Sequence, residues 1–179
     1  MTDRIYIVVT QTGTVLSRIL KRITHADYNH VSITTDPTLN IMYSFGRKNL
    51  YNPLWGGYVK ESPHFGTFKR FSETEAAVLA LPVTAEVKER MAEKLEEMYR
   101  NRKQYRYDTL GLLFAGAKVQ YIRQNTYYCS SFVLDLLEQF DLASKKSFER
   151  FPKPVEFLEL RGEIIYRGKL RLYQSPETE

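Results

Sequence analysis

The segment spanning residues 125–140 combines a strong helical pattern with the only cysteine of the chain. Its apolar residues recur at the three- and four-residue spacing of a helix with one face on a core: Phe132, Val133, Leu136, Leu137 and Phe140. Cys129 opens this pattern, and Asn125 and Thr126 lie just upstream as candidate capping residues. The sequence therefore predicts a core-packed helix that carries a thiol in its first turn.

Cys129 is a candidate nucleophile because of this position. The first turn of a helix is the positive end of its dipole and has backbone N–H groups without helical partners, so it favours a thiolate and binds an oxyanion. The alternative is a structural role, since unpaired cysteines are among the most buried residues and Cys129 shares a helical face with Phe132 and Leu136. A general base elsewhere in the chain is needed to separate the two interpretations.

Length and composition indicate one domain covering residues 1–179. The chain is 43% hydrophobic and 26% charged, which is ordinary for a globular protein and excludes the disordered and fibrous classes. The formal net charge is +5, but the basic residues are scattered along the chain, so we expect no nucleic-acid binding. The oligomeric state is left open by these observations.

The N-terminal residues and the cysteine usage predict a cytoplasmic protein, or one exported by a route that the sequence does not reveal. Residues 1–10 contain an acidic residue and only a short apolar run, which is typical of a strand and not of a signal peptide. The sequence has no apolar stretch as long as a membrane span. A single cysteine cannot form an internal disulfide, and no Cys/His cluster has zinc-site spacing, so we expect a reducing compartment and no metal.

Alternating and helical patterns together predict an α+β domain. Strands are predicted at 5–9, 30–35, 40–45, 67–71 and 76–83, the last of these closing the sheet, and a final strand or hairpin at 163–173. Besides the Cys129 helix, helices are predicted at 14–23, 84–103 and 107–119, and one or two helical turns at 155–160.

Residues 46–63 form a long segment without a sustained period, rich in aromatic and basic residues. We expect an irregular loop that acts as a cleft wall or lid, because loops of this length in a compact domain are usually functional. Arg47 and Lys60 suggest a further hypothesis, that this loop binds an acidic or carboxylate-bearing ligand.

The chain has three histidines from which a general base can come. His25 lies in a polar stretch and is predicted to be exposed. His64 is predicted to lie at the surface and is a lesser candidate for substrate binding. His30 opens a predicted strand whose core residues are Val31 and Ile33, so its ring is held on a rigid scaffold. His30 is therefore the candidate base, and the alternative is a strand-end histidine whose ring is satisfied by the backbone.

Three short segments resemble the permuted papain-like amidases of the NlpC superfamily, in the YiiX-like and lecithin retinol acyltransferase-like branches. The segments are 27–33 (DYNHVSI), 42–46 (MYSFG) and 127–133 (YYCSSFV). In that group the histidine strand precedes the cysteine helix, which reverses the chain order of papain while the geometry of the site is kept. The resemblance covers residues 5–140 and rests on the order of the elements, since each motif is short.

The resemblance implies a circularly permuted papain-like fold, with an antiparallel sheet packed against helices. It implies that Cys129 is the nucleophile and that His30 deprotonates it and later protonates the leaving group. The backbone N–H of Cys129, with a neighbouring donor, would hold the oxyanion. The expected reaction cleaves an amide, ester or thioester through an acyl-enzyme that water or an amine resolves, without a metal or organic cofactor. The expected substrates are small, peptide-like or acyl molecules, including cell-wall peptides and acyl lipids.

In such enzymes the group that orients the histidine ring comes from the strand after the histidine strand, and is usually His, Glu, Asp, Asn or Gln. The matching residues 42–44 offer only hydroxyl groups as polar side chains. Ser44 is our choice for this position, with a backbone carbonyl or a water molecule as the alternative. Tyr28, Tyr43 and Tyr127 are candidates for lining the substrate cleft.

The departure from the family pattern at Ser44 supports a second hypothesis of a different class. In this hypothesis the chain is a catalytically silent binding module of the same fold, with Cys129 in the core and the tyrosine-rich loop as an interface. Thiol reactivity separates the two hypotheses, because a buried structural cysteine is inert whereas a histidine-paired cysteine at a helix start is alkylated at low pH.

Overall fold

The computed structural model describes residues 3–12, 27–48, 56–107 and 126–176, and the central element of these residues is a six-stranded antiparallel sheet. The strands in chain order are β1 (Asp3–Gln11), β2 (His30–Thr34), β3 (Met42–Arg47), β4 (Gly56–Glu61), β5 (Glu75–Val83), β6 (Arg106–Tyr107), β7 (Thr126–Tyr127) and β8 (Glu163–Lys169). The order in the main sheet is β4-β3-β2-β1-β5-β8, and β6 pairs with β7 in parallel.

The helices in the described ranges are α1 (Gly66–Arg70), α2 (Ala85–Arg100) and α3 (Cys129–Gln139). Short 3₁₀ turns lie at Arg102–Gln104, Lys145–Ser147, Pro154–Glu159 and Leu170–Leu172. The hydroxyl oxygen of Thr84 caps α2 by accepting a hydrogen bond of 3.2 Å from the Val87 N–H.

The residues of β1 alternate between two buried faces of the sheet. Ile5, Ile7 and Val9 lie in the larger core, which the sheet forms with α2 and α3. Tyr6 and Val8 lie in a second core on the opposite face, together with α1. Because successive side chains of a strand point to opposite faces, a strand that is apolar at every position can be covered on both.

Helix α3 packs across the part of the sheet that contains β2 and β3. The ring of Phe132 is the centre of this contact, with its centroid 5.3 Å from the Phe45 ring and 5.2 Å from the Tyr58 ring. Clusters of aromatic rings at these separations are favourable beyond the area they bury. The packing holds the first turn of α3, and Cys129 in it, against β2.

Most of the predicted elements that fall in the described ranges are confirmed. The strands predicted at 5–9, 30–35, 40–45 and 76–83 correspond to β1, β2, β3 and β5, and the helices predicted from 84 and from Cys129 correspond to α2 and α3. The predicted helical turns at 155–160 are the 3₁₀ turn Pro154–Glu159, and the final strand at 163–173 is β8 followed by another 3₁₀ turn. The α+β class is confirmed at the level of an antiparallel sheet with helices.

The strand predicted at 67–71 is wrong, because these residues lie in α1 and the turn that follows it. Phe68 and Phe71 are three residues apart, which is helical spacing, but a segment this short does not separate the two periods. Phe68 is buried in the second core, and Gly66 begins the helix at a φ of 63°, a left-handed conformation that favours glycine.

The prediction of an irregular loop at 46–63 is wrong for its second half. Residues 56–61 form β4, which pairs with β3 along its whole length, from Met42 opposite Glu61 to Arg47 opposite Gly56. Gly56 is required by a close approach, since a Cβ at this position would overlap the ring of Tyr107. Residues 49–55 lie outside the described ranges.

The prediction that residues 76–83 close the sheet is also wrong, because β5 lies between β1 and β8 in its interior.

The helix predicted at 14–23 lies outside the described residues, as does that at 107–119 apart from Tyr107, which is in β6. The assignment of 1–179 to one domain stays a prediction. Among the described residues, no helix has the length and apolar composition needed to cross a membrane.

Candidate active site

Cys129 is the first residue of α3 and follows Tyr128, whose backbone is extended. The hydroxyl oxygen of Ser131 accepts a hydrogen bond from the Tyr128 N–H and donates one to the Tyr128 carbonyl oxygen, both at 3.0 Å. This local exchange fixes the start of the helix. Of the two predicted caps, Thr126 lies in β7 and Asn125 lies outside the described residues. The thiol is therefore in the first turn, where N–H groups have no partner within the helix.

The Cys129 thiol is 7% exposed and faces polar groups from two elements. It interacts with the His30 ring and with the backbone N–H of Val31 on β2, and its sulfur lies 3.9 Å from the Ser130 hydroxyl oxygen. Burial raises the pKa of the Cys129 thiol, but the hydrogen bond and charge of His30, together with the Val31 hydrogen bond, lower it below its ordinary value. The site thus favours the thiolate, which is the nucleophilic form.

His30 is the first residue of β2 and lies opposite Thr10 of β1. Its Nε2 is 2.9 Å from Oε2 of Glu61, and its ring also interacts with the Cys129 thiol. Burial lowers the pKa of His30, but the Glu61 carboxylate and the Cys129 thiolate raise it to about 10. The stable form of the pair is therefore a thiolate beside an imidazolium.

Glu61 ends β4 and accepts hydrogen bonds on Oε2 from three side chains. These are the His30 ring at 2.9 Å and the hydroxyl groups of Ser32 and Ser44, each at 2.7 Å. Burial raises the pKa of Glu61, but the charge of His30 and these three hydrogen bonds lower it below its ordinary value. The carboxylate is held in place by donors that are themselves buried, since Ser32 and Ser44 are both fully inaccessible.

The alternation of side chains on three neighbouring strands brings these groups together. Ile33 of β2 lies opposite Tyr43 of β3, so the residues next to them, Ser32 and Ser44, share the opposite face of the sheet. Ser44 lies opposite Val59 of β4, two residues before Glu61, which places the carboxylate on the same face. His30 is two residues before Ser32 and completes the row.

The structure brings Cys129 and His30 together as candidate nucleophile and base. Ser44 does not contact the His30 ring directly, because Glu61 lies between them. Ser44 was predicted to orient the His30 ring, but its hydroxyl contacts Glu61, and Glu61 contacts the ring. The sequence analysis did not single out Glu61, because it falls in the segment predicted as an irregular loop. Glu61 is identified only through strand pairing, which links residues far apart in sequence. Once residues 56–61 are known to form a strand paired with β3, the alternation of side chains along the strands places Glu61 beside Ser44.

The three candidate cleft tyrosines direct their hydroxyl groups to other side chains. Tyr43 donates to Glu96 of α2 from the face of β3 opposite to Ser44. Tyr127 donates to Asp135 at 3.2 Å, and Tyr28 accepts from Nη1 of Arg167 at 3.3 Å. The rings of all three pack against the larger core. Their role in substrate binding stays a prediction.

His64, the other histidine among the described residues, takes no part in this arrangement. His64 is exposed in the turn after β4, where its backbone N–H donates to the Ser62 hydroxyl oxygen at 3.1 Å. His25 lies outside the described residues. Within the part of the chain that the structure describes, no group of three or more His, Cys, Asp or Glu side chains is arranged to hold a metal ion.

Nucleophilic catalysis requires a nucleophile, a base and a group that orients the base. The site provides candidates for all three in Cys129, His30 and Glu61. It favours the thiolate, because the pKa of Cys129 is lowered, and it can return a proton to a leaving group. The chain matches no protein-family model, no curated protein sequence and no solved structure. The case for function therefore comes from the geometry and electrostatics of these residues.

Proposed function

We propose that this chain is a cysteine hydrolase in which Cys129 attacks the carbonyl carbon of an amide, ester or thioester. One observation carries the proposal: a thiol with a lowered pKa in the first turn of a helix interacts with a histidine whose Nε2 is 2.9 Å from a buried carboxylate. A structural cysteine needs neither the histidine nor the carboxylate, whereas a catalytic one needs both.

The reaction begins with attack of the Cys129 thiolate on the carbonyl carbon to give a tetrahedral oxyanion. Backbone N–H groups of the first turn of α3 stabilise this oxyanion, as helix N-termini do for anions generally. The intermediate collapses by breaking the bond to the amine, alcohol or thiol, which takes the proton from the His30 imidazolium. The product is an acyl-enzyme with a neutral His30.

The acyl-enzyme is then resolved by water. Neutral His30 removes a proton from the water as its oxygen attacks the acyl carbon, and the thiolate leaves, which restores the thiolate–imidazolium pair. An amine in place of the water completes an acyl transfer by the same steps. Glu61 holds the ring in one orientation and stabilises the imidazolium, while Ser32 and Ser44 hold Glu61.

The order of the elements supports placing this hydrolase among the permuted papain-like enzymes of the NlpC superfamily. The histidine strand β2 precedes the cysteine helix α3, and the helix packs on an antiparallel sheet. The carboxylate of Glu61 reaches the histidine from β4, one strand beyond the position expected from the family pattern. This carboxylate also removes the reason for the catalytically silent alternative, which was the lack of an acidic or amide group near His30.

The pH dependence of Cys129 alkylation by iodoacetamide tests the proposal. In the parent protein we expect an apparent thiol pKa well below the value of about 8.5 for a free cysteine, and in His30→Ala a return toward that value. The matched control is His64→Ala, which removes an exposed histidine and should leave the profile unchanged. Alkylation that occurs only after unfolding would make Cys129 a core residue and would end the hydrolase proposal.

A further inference from the structure

A cavity of about 300 Å³ lies beside Glu61, which is one of its lining residues. Glu61 and Phe68 both line it, and both contact His30: the carboxylate at 2.9 Å from Nε2, and the Phe68 ring at 6.3 Å between centroids. The cavity therefore begins one side chain away from the candidate base. Its other walls come from β4, α1 and the turn at Arg102.

Three basic side chains line this cavity, namely Lys48, Lys60 and Arg102, against the single carboxylate of Glu61. The charge of Glu61 is already balanced by His30, and Lys60 pairs with Glu96 at 2.6 Å. Among the described residues, neither Lys48 nor Arg102 forms an ion pair with a carboxylate. Two positive charges that have no carboxylate partner within the described ranges therefore line the same small volume.

Arg102 is positioned by two contacts with Tyr99, and the side chain of Lys48 lies over the backbone of β4. The guanidinium of Arg102 lies 4.6 Å from the Tyr99 ring centroid and donates through Nη1 to the Tyr99 carbonyl oxygen at 3.0 Å, which leaves its other N–H groups free to bind a ligand. The side chain of Lys48 crosses Gly57, where a Cβ would overlap it. Ordered donors lose less conformational freedom on binding than mobile ones.

The cavity also has an apolar part. Phe65, which is 43% exposed, lines it together with Phe68 and Tyr99. Pockets of this kind bind ligands that combine a charged group with an apolar body.

We propose that this cavity binds an oxyanion group, a carboxylate or a phosphate, of the substrate whose carbonyl Cys129 attacks; the inference rests on the proposed hydrolase function. The Arg102 fork matches the geometry of either group, and Lys48 adds a point charge. The substrate is then an acyl compound whose anionic group lies beside Glu61 when its carbonyl lies at the thiol.

Direct binding tests the cavity without requiring catalysis. Phenyl phosphate, phenylacetate and neutral phenylacetamide are titrated into ¹⁵N-labelled protein, and dissociation constants are read from amide shifts. Arg102→Gln and Lys48→Gln should each weaken anion binding by at least about fivefold, the effect of losing one charge-assisted contact. The matched control Lys103→Gln, an exposed neighbour that does not line the cavity, should have no effect. A lower dissociation constant for phenyl phosphate than for phenylacetate, or the reverse, identifies the anionic group that the cavity binds. A dissociation constant for phenylacetamide equal to those of the anions overturns the inference.

A pair of esters with the same leaving group connects the cavity to catalysis. The quantity measured is the ratio of kcat/KM for mono-4-nitrophenyl suberate, which is anionic and long enough to extend past the His30 ring, to that for neutral 4-nitrophenyl octanoate. We expect this ratio to favour the anionic ester and to fall in Arg102→Gln but not in Lys103→Gln. Hydrolysis of both esters by Cys129 at equal kcat/KM, without anion binding, would overturn the cavity and leave the hydrolase standing. Anion binding without Cys129-dependent hydrolysis would overturn the hydrolase and keep the cavity as an anion site.

Discussion

Gly46 leaves free the space that the Glu61 carboxylate occupies beside His30. A Cβ on Gly46 would lie 3.2 Å from Oε1 of Glu61 and 3.3 Å from the hydroxyl oxygen of Ser44. Gly46 and Ser44 share a face of β3, because residues two apart in a strand point the same way. The carboxylate and its serine donor are thus packed against a position where a side chain is missing.

Substitution of Gly46 by Ala is expected to push the carboxylate away from His30 by a few tenths of an ångström. We expect kcat/KM for a 4-nitrophenyl ester to fall by about tenfold, because a displaced carboxylate orients the ring less well. Far-ultraviolet circular dichroism should be unchanged, since the added methyl meets side chains and no backbone. Full activity in this variant would show that Glu61 does not need its present position.

The pH profile of kcat/KM should be bell-shaped and broad. On the acid side activity rises as Cys129 loses its proton, with a pKa below the ordinary thiol value, and on the alkaline side it falls as His30 loses its proton with a pKa of about 10. Between these limits the thiolate–imidazolium pair is intact. Initial rates across this range measure both limbs, and an alkaline limb near the free histidine value of about 6.5 would contradict the ion pair.

Replacement of Glu61 by Gln should narrow this profile from both sides. Loss of the negative charge lowers the pKa of His30, and the thiolate is then less stabilised by a charged ring, so the pKa of Cys129 rises. We expect kcat/KM at neutral pH to fall by about 100-fold or more. An unchanged profile with a lower rate would mean that Glu61 contributes only to structure.

Removal of the Ser44 hydroxyl should have a smaller effect than removal of the Glu61 charge. Ser44→Ala deletes one of two serine hydrogen bonds to Oε2, worth about 1 kcal/mol, so we expect a loss of about three- to tenfold in kcat/KM. Ser32→Ala is the matched variant for the other serine. If Ser44→Ala equalled Glu61→Gln in its effect on rate and pH profile, Ser44 would act directly on His30.

The packing of α3 should dominate the stability of the site. Phe132→Ala removes a fully buried ring that contacts Phe45 and Tyr58, and we expect the free energy of unfolding to fall by about 3–5 kcal/mol. Urea denaturation measures this change. The control Leu172→Ala alters a side chain that is 59% exposed and should cost no more than about 0.5 kcal/mol. Equal effects of the two substitutions would contradict the central position of Phe132.

The sequence was sufficient to propose Cys129 and His30, because each is marked by a local pattern. The apolar stripe after Cys129 has helical spacing, and His30 begins a strand with buried β-branched residues at Val31 and Ile33. Glu61 has no local mark of this kind. Its position depends on the pairing of β4 with β3, and that pairing depends on close approaches at glycines, including the contact of Gly56 with Tyr107.

The short segment around Phe68 and the tyrosine contacts show the same limit. Phe68 lies in a five-residue helix, which is too short to show a helical pattern of apolar residues in the sequence. It is buried because a second core lies on the other face of the sheet. Tyr43, the residue before Ser44, was predicted to line the substrate cleft. Alternation in β3 sends its ring to the opposite face, toward Glu96 of α2.

Two different kinds of contact position the groups of the candidate active site. The separation of His30 from Glu61 is set by the spacing of hydrogen-bonded strands, which hardly changes without breaking the sheet. The separation of Cys129 from His30 is set by how α3 rests on the aromatic rings beneath it. Cys129 is therefore positioned by different packing contacts from His30. A small shift of α3 would move the thiol away from the His30 ring while the contact between His30 and Glu61 was kept.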